Sequence, residues 1–286
     1  MNKLSVVLAT RNEEKNIGDC LSSIKDIADE IIIVDEESTD NTKKIAESFG
    51  AKVYTQKHEA IFHITKQKAL DLATCEWILQ LDADERVTSD LSKEIKEVIN
   101  MKSSDIKKRF EKFGKRKLFF KHQKLIEERD GMLGNNKEIV AFFIPRKNFF
   151  LGKPIIQAGV YPDGVIRLVK RGKAKFPAKS VHEQMIIDGG VSWLENHLEH
   201  HDSPTLKRYF QRLNRYTDLH AQELKEKNAP KNIFYMFYYC LIKKCFVFLN
   251  IFIRHKGFLD GYRGFLWSLF SSWHYPIAYF KYWQMK

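Results

Sequence analysis

Asp82-Ala83-Asp84-Glu85 sets two carboxylates at i and i+2 with a third directly after them. On an irregular turn both aspartates can face one hard cation. Mg²⁺ or Mn²⁺ prefers such oxygen ligands and leaves positions open for phosphate oxygens. The plain alternative is a solvated acidic turn, since Asp-x-Asp is a short pattern that recurs by chance. Two more polar clusters stand in similar settings. Asp35 follows the apolar run 31–34 (IIIV); its carboxylate could accept hydrogen bonds from a uracil or ribose, or cap the helix that residues 38–40 open. Arg11 and Asn12 follow the run 4–9 (LSVVLA), where their donors could hold a nucleotide or simply form a surface turn. Lys66 and Lys68 precede the Asp82 cluster and could approach a diphosphate, or solvate one face of a helix.

These clusters need a scaffold that brings them together. Residues 4–9 are a continuous β-branched apolar run that reads as a strand covered on both faces, 31–34 read as a second buried strand, and 52–55 and 77–81 as a third and fourth strand. Between them, 13–28, 38–49 and 64–73 place apolar residues at helical spacing, with Gly50 as a C-cap. Alternation at this pace predicts repeated βαβ units and a mainly parallel sheet, whose ligands sit beyond the carboxyl ends of the strands. All three clusters fall at those ends. Residues 101–137 break the pattern with a Lys/Arg-rich, helically periodic stretch, expected as an exposed amphipathic excursion around a flexible 131–136. Strands are expected again at 139–144, 164–169 and 184–187, and helix from Thr205, with Leu206, Tyr209, Phe210, Leu213, Tyr216, Thr217 and His220 on one face.

Charge separates the two ends of the chain. Residues 1–100 carry 13 Lys/Arg against 20 Asp/Glu, and residues 101–286 carry 35 against 16. An acidic part suits metal or sugar hydroxyls, and a basic part needs an anionic partner. With 44% hydrophobic and 29% charged residues, the chain is neither disordered nor collagen-like. Four cysteines without paired spacing predict reduced thiols, and an apolar run of only six residues before Thr10 is short for a signal peptide. Residues 230–286 hold 19 of the 37 aromatics and 8 Lys/Arg against the single acid Asp260. Their longest stretch without charge, 264–280, has 17 residues, short of the ~20 of a spanning helix. Interleaved aromatic and basic residues match a segment lying in a membrane interface.

The ordered segments ATRNEEKNI, IIIVDEESTDNT and WILQLDADERV resemble the nucleotide-sugar-binding half of an inverting family 2 glycosyltransferase of GT-A fold. IPRKNFFLGK, VYPDGVIRLVKRGKAKF, VHEQ, RLNRYT and GFLDGYRGFL resemble its lipopolysaccharide-core and envelope-glycan branch. The resemblance covers nearly the whole chain apart from 101–137; the expected organisation is a GT-A domain over 1–204, with 101–137 as a basic helical insertion, and a helical, membrane-associating region over 205–286. The resemblance implies that Thr10, Asn12, Glu13 and Asp35 contact the nucleotide, and that Asp84 is the leading metal ligand, with Asp82 a metal or ribose contact; Arg11 and Lys66, from their positions in the sequence, are expected to join the donor site. A divalent cation on the donor diphosphate would stabilise the departing nucleoside diphosphate. Inverting transfer needs a general base for the acceptor hydroxyl: Glu183 in VHEQ, with Asp163 in YPDG as the alternative and His182 packing or orienting beside it. A later histidine often adds a metal ligand in such enzymes, and His200 is chosen over His197 and His201. Arg167 would meet phosphate or pair with a carboxylate. Two departures stand out: Glu36-Glu37 where the branch often has Ser-Gly, and Gln67 where it often has Asn.

The expected donor is a nucleoside-diphosphate sugar with Mg²⁺ or Mn²⁺. The expected acceptor is a lipid-linked or lipopolysaccharide-type saccharide at the cytoplasmic face of an anionic membrane. A basic nucleic-acid-binding protein would explain the charge and leave the acidic strand ends without purpose, so no nucleic acid is expected. A catalytically inactive membrane-associated scaffold of the same fold is the other alternative.

Overall fold

The computed structural model describes residues 2–131, 133–134, 138–177 and 184–285. The chain divides into two compact units, Met1–Arg146 with Pro162–His200, and Lys147–Tyr161 with His201–Lys286.

The first unit begins with β1 (Leu4–Thr10), α1 (Ile17–Ile24), β2 (Glu30–Asp35), α2 (Thr42–Ser48), β3 (Lys52–Thr55), α3 (Phe62–Leu72) and β4 (Trp77–Leu81). The strands lie in the order β3-β2-β1-β4 and are all parallel. β1 is buried along its whole length, as a strand with helices on both faces must be. Register sets Thr10 opposite Asp35 and Leu8 opposite Leu81, so the carboxyl ends of three strands meet on one edge. α1 buries Ile17, Cys20, Leu21 and Ile24, the face its periodicity predicts. It starts later than expected because the amides of Asn16 and Ile17 turn back onto the Glu13 carbonyl.

In chain order there follow β5 (Glu85–Val87), α4 (Ser89–Val98), α5 (Ser103–Glu111), α6 (Arg116–Asp130), β6 (Ile139–Phe150), β7 (Lys153–Ile155), β8 (Gly164–Lys170), β9 (Ala174–Lys175), β10 (Ile186–Ile187), β11 (Gly190–Trp193) and β12 (Leu198–Ser203), of which β7 and the last residues of β6 and β12 belong to the second unit. β8 runs antiparallel between β4 and β6, and β11 adds to β6 in parallel. Strands β5, β11 and β12 were not expected from the sequence.

The basic insertion is more than an exposed excursion. α6 buries Phe119 and Ile126, and Trp193 stacks between Phe119 and Phe143 with ring centroids 4.7 and 4.6 Å away. The Gly164 amide donates to His122 Nε2 at 2.9 Å. A Cβ on Gly164 would lie 2.2 Å from the Trp193 ring, so the residue that opens β8 has to be glycine.

The second unit contains α7 (Leu206–Glu226), α8 (Ile233–Arg254) and α9 (Gly261–Gln284). Phe150, Ile155, Tyr209 and Leu213 pack with Trp267 and Phe270, and Ala221 and Leu224 pack with Tyr279 and Tyr282. α7 therefore buries Tyr209, Leu213, Thr217, Ala221 and Leu224, while Leu206, Phe210 and Tyr216 of the expected face stay exposed. The stretch 264–280, expected at the membrane, lies within α9 and buries Gly264, Ser268, Ser272, Pro276, Ala278 and Tyr279. A Cβ on Gly264 would meet the Gly257 carbonyl oxygen at 1.8 Å, so this face is packed against backbone. The apolar helix left uncovered is α8, with mean hydropathy 1.6 over a window of which none is buried. Lys243 and Lys244 interrupt its apolar run, which is why a search for charge-free stretches passes over it.

Candidate functional site

The loops after β1 and β2 are stitched together. The Asn12 amide donates to Ser38 Oγ at 2.8 Å, and Asn12 Oδ1 accepts from the Thr39 amide at 2.9 Å. The Glu13 amide donates to Thr42 Oγ1 at 2.7 Å, and Glu13 accepts from Asn16 Nδ2 at 2.7 Å. Asn12 adopts φ 55°, a left-handed conformation that asparagine tolerates better than most residues. Asp35 is fully buried. It accepts from Thr10 Oγ1 at 3.0 Å and from the amide and hydroxyl of Ser38 at 2.8 and 2.5 Å. Its carboxylate shapes this turn; α2 begins only at Thr42, with Asn41 at its N-cap, so Asp35 does not cap the helix start expected at residues 38–40. Arg11 is exposed.

Glu36 and Glu37 have separate structural uses. Glu36 is 1% exposed and accepts from the Thr65 hydroxyl of α3, with His58 Nδ1 2.6 Å away. Glu37 adopts φ 52°, so the backbone keeps a left-handed kink where the branch has glycine.

Beyond β4 lies a charge network in which three cations face three carboxylates. Asp82 meets Lys66 Nζ at 2.5 Å and Arg167 Nη2 at 2.6 Å. Arg167 also donates to Gln80 Oε1 and to Glu85 at 2.8 Å. Glu85 is fully buried; it accepts from Arg146 at 3.2 Å and from the Asp82 amide at 2.9 Å. Arg146 donates through Nε and Nη2 to Asp163 Oδ2, at 3.1 and 2.8 Å. Burial alone would raise the Asp82 carboxyl, but Arg167 and Lys66 outweigh it and hold it well below the usual carboxylate range. Burial opposes the charge of Arg146 and Arg167, and the surrounding carboxylates keep both guanidiniums charged. α3, β4, β5, β6 and β8 are thereby tied behind the Asp82 turn. Lys68 is exposed, away from this network.

Asp84 has a different neighbour. Its Oδ2 lies 3.6 Å from His200 Nε2, because β12 pairs antiparallel with β5 and sets His200 opposite Glu85. The turn that launches β12 is held by buried Glu94, which accepts from the amides of Glu195 and Asn196 at 2.7 and 2.8 Å and from Arg109 at 2.6 Å. Burial would raise the Asp84 carboxyl, but the charge and hydrogen bond of His200 prevail and lower it. One carboxylate oxygen and one imidazole nitrogen at this separation fit two neighbouring positions of a divalent cation, whose bonds to such ligands run near 2.0–2.2 Å. Asp84 thus has the room and the donor partner for a metal, whereas both oxygens of Asp82 are engaged by cations. Of the other histidines considered, His197 offers its carbonyl to Thr88 Oγ1 at 3.2 Å, and His201 stacks on Phe149 at 4.2 Å. His182 and Glu183 lie outside the described residues.

The sequence model of Glycosyl transferase family 2 matches residues 5–158. The chain belongs to that family. The matched residues include β1, β2 and β4 and every carboxyl-end cluster described above. The parallel βαβ half and the helices flanking it make up the α/β GT-A arrangement expected of a family 2 glycosyltransferase, and the C-terminal region is helical and aromatic-rich, as expected. An uncharacterized glycosyltransferase of Rickettsia felis is 39% identical over 105 residues, which are 37% of this chain and 37% of that relative. The match thus spans little more than a third of the relative's length. The lipopolysaccharide core biosynthesis glycosyltransferase LpsC of Rhizobium meliloti is 24% identical over 270 residues, 92% of this chain and 85% of LpsC. The crystal structure of S. aureus TarS is similar with a TM-score of 0.43 and 16% identity, over 90% of this chain and 45% of that one.

Three residues that hold the cluster and the β12 turn in place had no role assigned from the sequence: Glu85, Arg146 and Glu94. Glu85 was legible only as a third acid beside Asp-x-Asp. Arg146 and Glu94 lie far from the motifs in sequence and gave no local signal.

Proposed function

We propose that this chain transfers a sugar from a nucleoside-diphosphate sugar, with inversion at the anomeric carbon and the help of a divalent cation, to a lipid-linked or lipopolysaccharide-type saccharide. It works as a peripheral protein on the cytoplasmic face of a membrane. The observation that carries the proposal is Asp84 beside His200, 3.6 Å apart, just past the end of β4, where ligands of such sheets bind. The similarity to LpsC over 92% of the chain supports the acceptor class.

In this reading Thr10, Arg11, Asn12, Glu13 and Asp35 border the nucleoside, Lys66 and Asp82 flank the diphosphate, and Asp84 and His200 hold Mg²⁺ or Mn²⁺. The cation would neutralise charge on the departing diphosphate. Glu183 takes the proton from the acceptor hydroxyl as its oxygen attacks the anomeric carbon. Asp163, with φ 34°, takes two hydrogen bonds from Arg146 on one oxygen. That arrangement suits positioning better than proton abstraction, and it favours Glu183 of the two candidates.

The test is a transfer assay with a panel of nucleoside-diphosphate sugars and a truncated lipopolysaccharide acceptor. Product is followed by mass, and its anomeric configuration by NMR. Metal-dependent transfer giving the opposite anomer is expected. A product with retained configuration, or an undiminished rate in chelator, would overturn the proposal.

A further inference from the structure

We propose that α8 lies flat in the headgroup region of an anionic bilayer and does not cross it; this rests on the membrane reading above and specifies the helix, its face and its orientation. By length alone α8 could span. Its 22 residues reach about 33 Å, against roughly 30 Å of hydrocarbon. Its charges argue otherwise. Lys243 and Lys244 sit at the middle of the helix, so a crossing would bring both to the bilayer centre, where a single charged residue is already strongly disfavoured. Both point back toward α9, with Lys244 Nζ 3.8 Å above the Trp273 ring and Lys243 Nζ 5.1 Å from the Tyr275 ring.

The opposite side of α8 is a continuous apolar stripe. Phe234, Phe237, Leu241, Phe246, Leu249 and Ile253 are all exposed, from 49% at Leu241 to 80% at Phe234. Their spacing of three to five residues averages slightly longer than the 3.6-residue turn of a regular helix. Two wider turns, Tyr238–Lys243 and Asn250–Arg254, which bond from i to i+5, supply the difference. The stripe therefore stays on one side for the whole length, as an in-plane helix requires and a spanning helix does not.

Charge complementarity selects an anionic lipid surface as the occupant. Lys231, Arg254 and Lys256 are exposed at the two ends of α8. Asp260, the single acid after residue 230, is turned inward, accepting from the amides of Ile156 and Gln157 at 3.3 and 2.9 Å. An apolar stripe with basic ends and no competing acid is the pattern of an interfacial helix.

The full-length protein is mixed with vesicles of phosphatidylethanolamine and phosphatidylglycerol and floated. Orientation is read with Lys227→Cys and His255→Cys, one at a time, in a background with Cys240→Ser and Cys245→Ser, using a membrane-impermeant maleimide added outside. Flotation with both positions labelled at similar rates is expected. Labelling of only one until detergent is added would show a crossing helix and overturn the in-plane assignment alone. Absence of flotation would overturn the membrane reading itself. The paired change Phe237→Glu with Phe246→Glu, on exposed positions that leave the fold intact, should lower the floated fraction at least about tenfold. Unchanged flotation would overturn the stripe. Light scattering without lipid should give a monomer; a dimer dissolved by the same pair of changes would assign the stripe to a second copy of the chain and overturn the proposal.

Discussion

Arg167→Met takes one guanidinium away from Gln80, Asp82 and Glu85 and leaves an unbranched apolar chain in its place. Asp82 keeps Lys66 at 2.5 Å and Glu85 keeps Arg146 at 3.2 Å, so neither carboxylate becomes wholly unpaired. Glu85 is nevertheless fully buried, and removing one partner of a buried ion pair costs about 3–5 kcal/mol. The two remaining cations put the expected loss at the lower end, about 3 kcal/mol, which for a domain of this size lowers Tm by roughly 6–12 °C. The sign of the pH dependence follows from Asp82. Its folded pKa is depressed, so its contribution is present above the unfolded value near 3.9 and is lost as pH falls through the lower folded value. The gap between wild type and variant should therefore narrow as pH drops below about 4. Thermal unfolding followed by circular dichroism from neutral to acid pH measures both effects. A Tm loss under about 2 °C at neutral pH, or a gap that widens in acid, would refute the reasoning.

Other perturbations test separate parts of the account. Glu94→Gln should weaken the turn at residues 195–196 and, with it, the placement of His200; a Tm loss of a few degrees with at least about tenfold weaker Mn²⁺ binding is expected, read by calorimetry, and unchanged metal affinity would disconnect Glu94 from the site. Gly164→Ala drives a methyl into Trp193 and should cost about 1–3 kcal/mol in thermal unfolding; a neutral effect would mean the ring can yield. Glu183→Gln should retain donor binding and lose at least about a hundredfold in transfer, the scale of general base catalysis, whereas the same outcome for Asp163→Asn and not for Glu183→Gln would reverse the assignment of the base.

β1, β2 and β4 were legible because they are short continuous apolar runs, and burial leaves those runs no other use; β3 is an edge strand whose Lys52, Tyr54 and Thr55 are exposed. The polar ends of β2 and β4 showed where Asp35, Asp82 and Asp84 would gather. β12 was not legible: LEHHDS is polar, and it becomes a strand by pairing with β5, not by any preference of its own. The same pairing sets His200 opposite Glu85, so the choice of His200 among three neighbouring histidines had no warrant in periodicity. The α6 insertion read as solvent-exposed because its lysines are exposed. Its anchors, Phe119 and His122, meet Trp193 and Gly164 from distant parts of the chain. Glu36, one of the two departures, is buried against Thr65 and His58 and ties the β2 loop to α3.

The central claim is that donor binding depends on a cation held by Asp84 and His200. Thermal shift of the wild type and of Asp84→Ala with UDP, GDP, ADP and CMP, each with and without Mn²⁺, tests it most directly. One nucleoside diphosphate should stabilise the wild type only when Mn²⁺ is present, and Asp84→Ala should fold normally and lose that response. Stabilisation without metal, or an equal response in Asp84→Ala, would contradict the account.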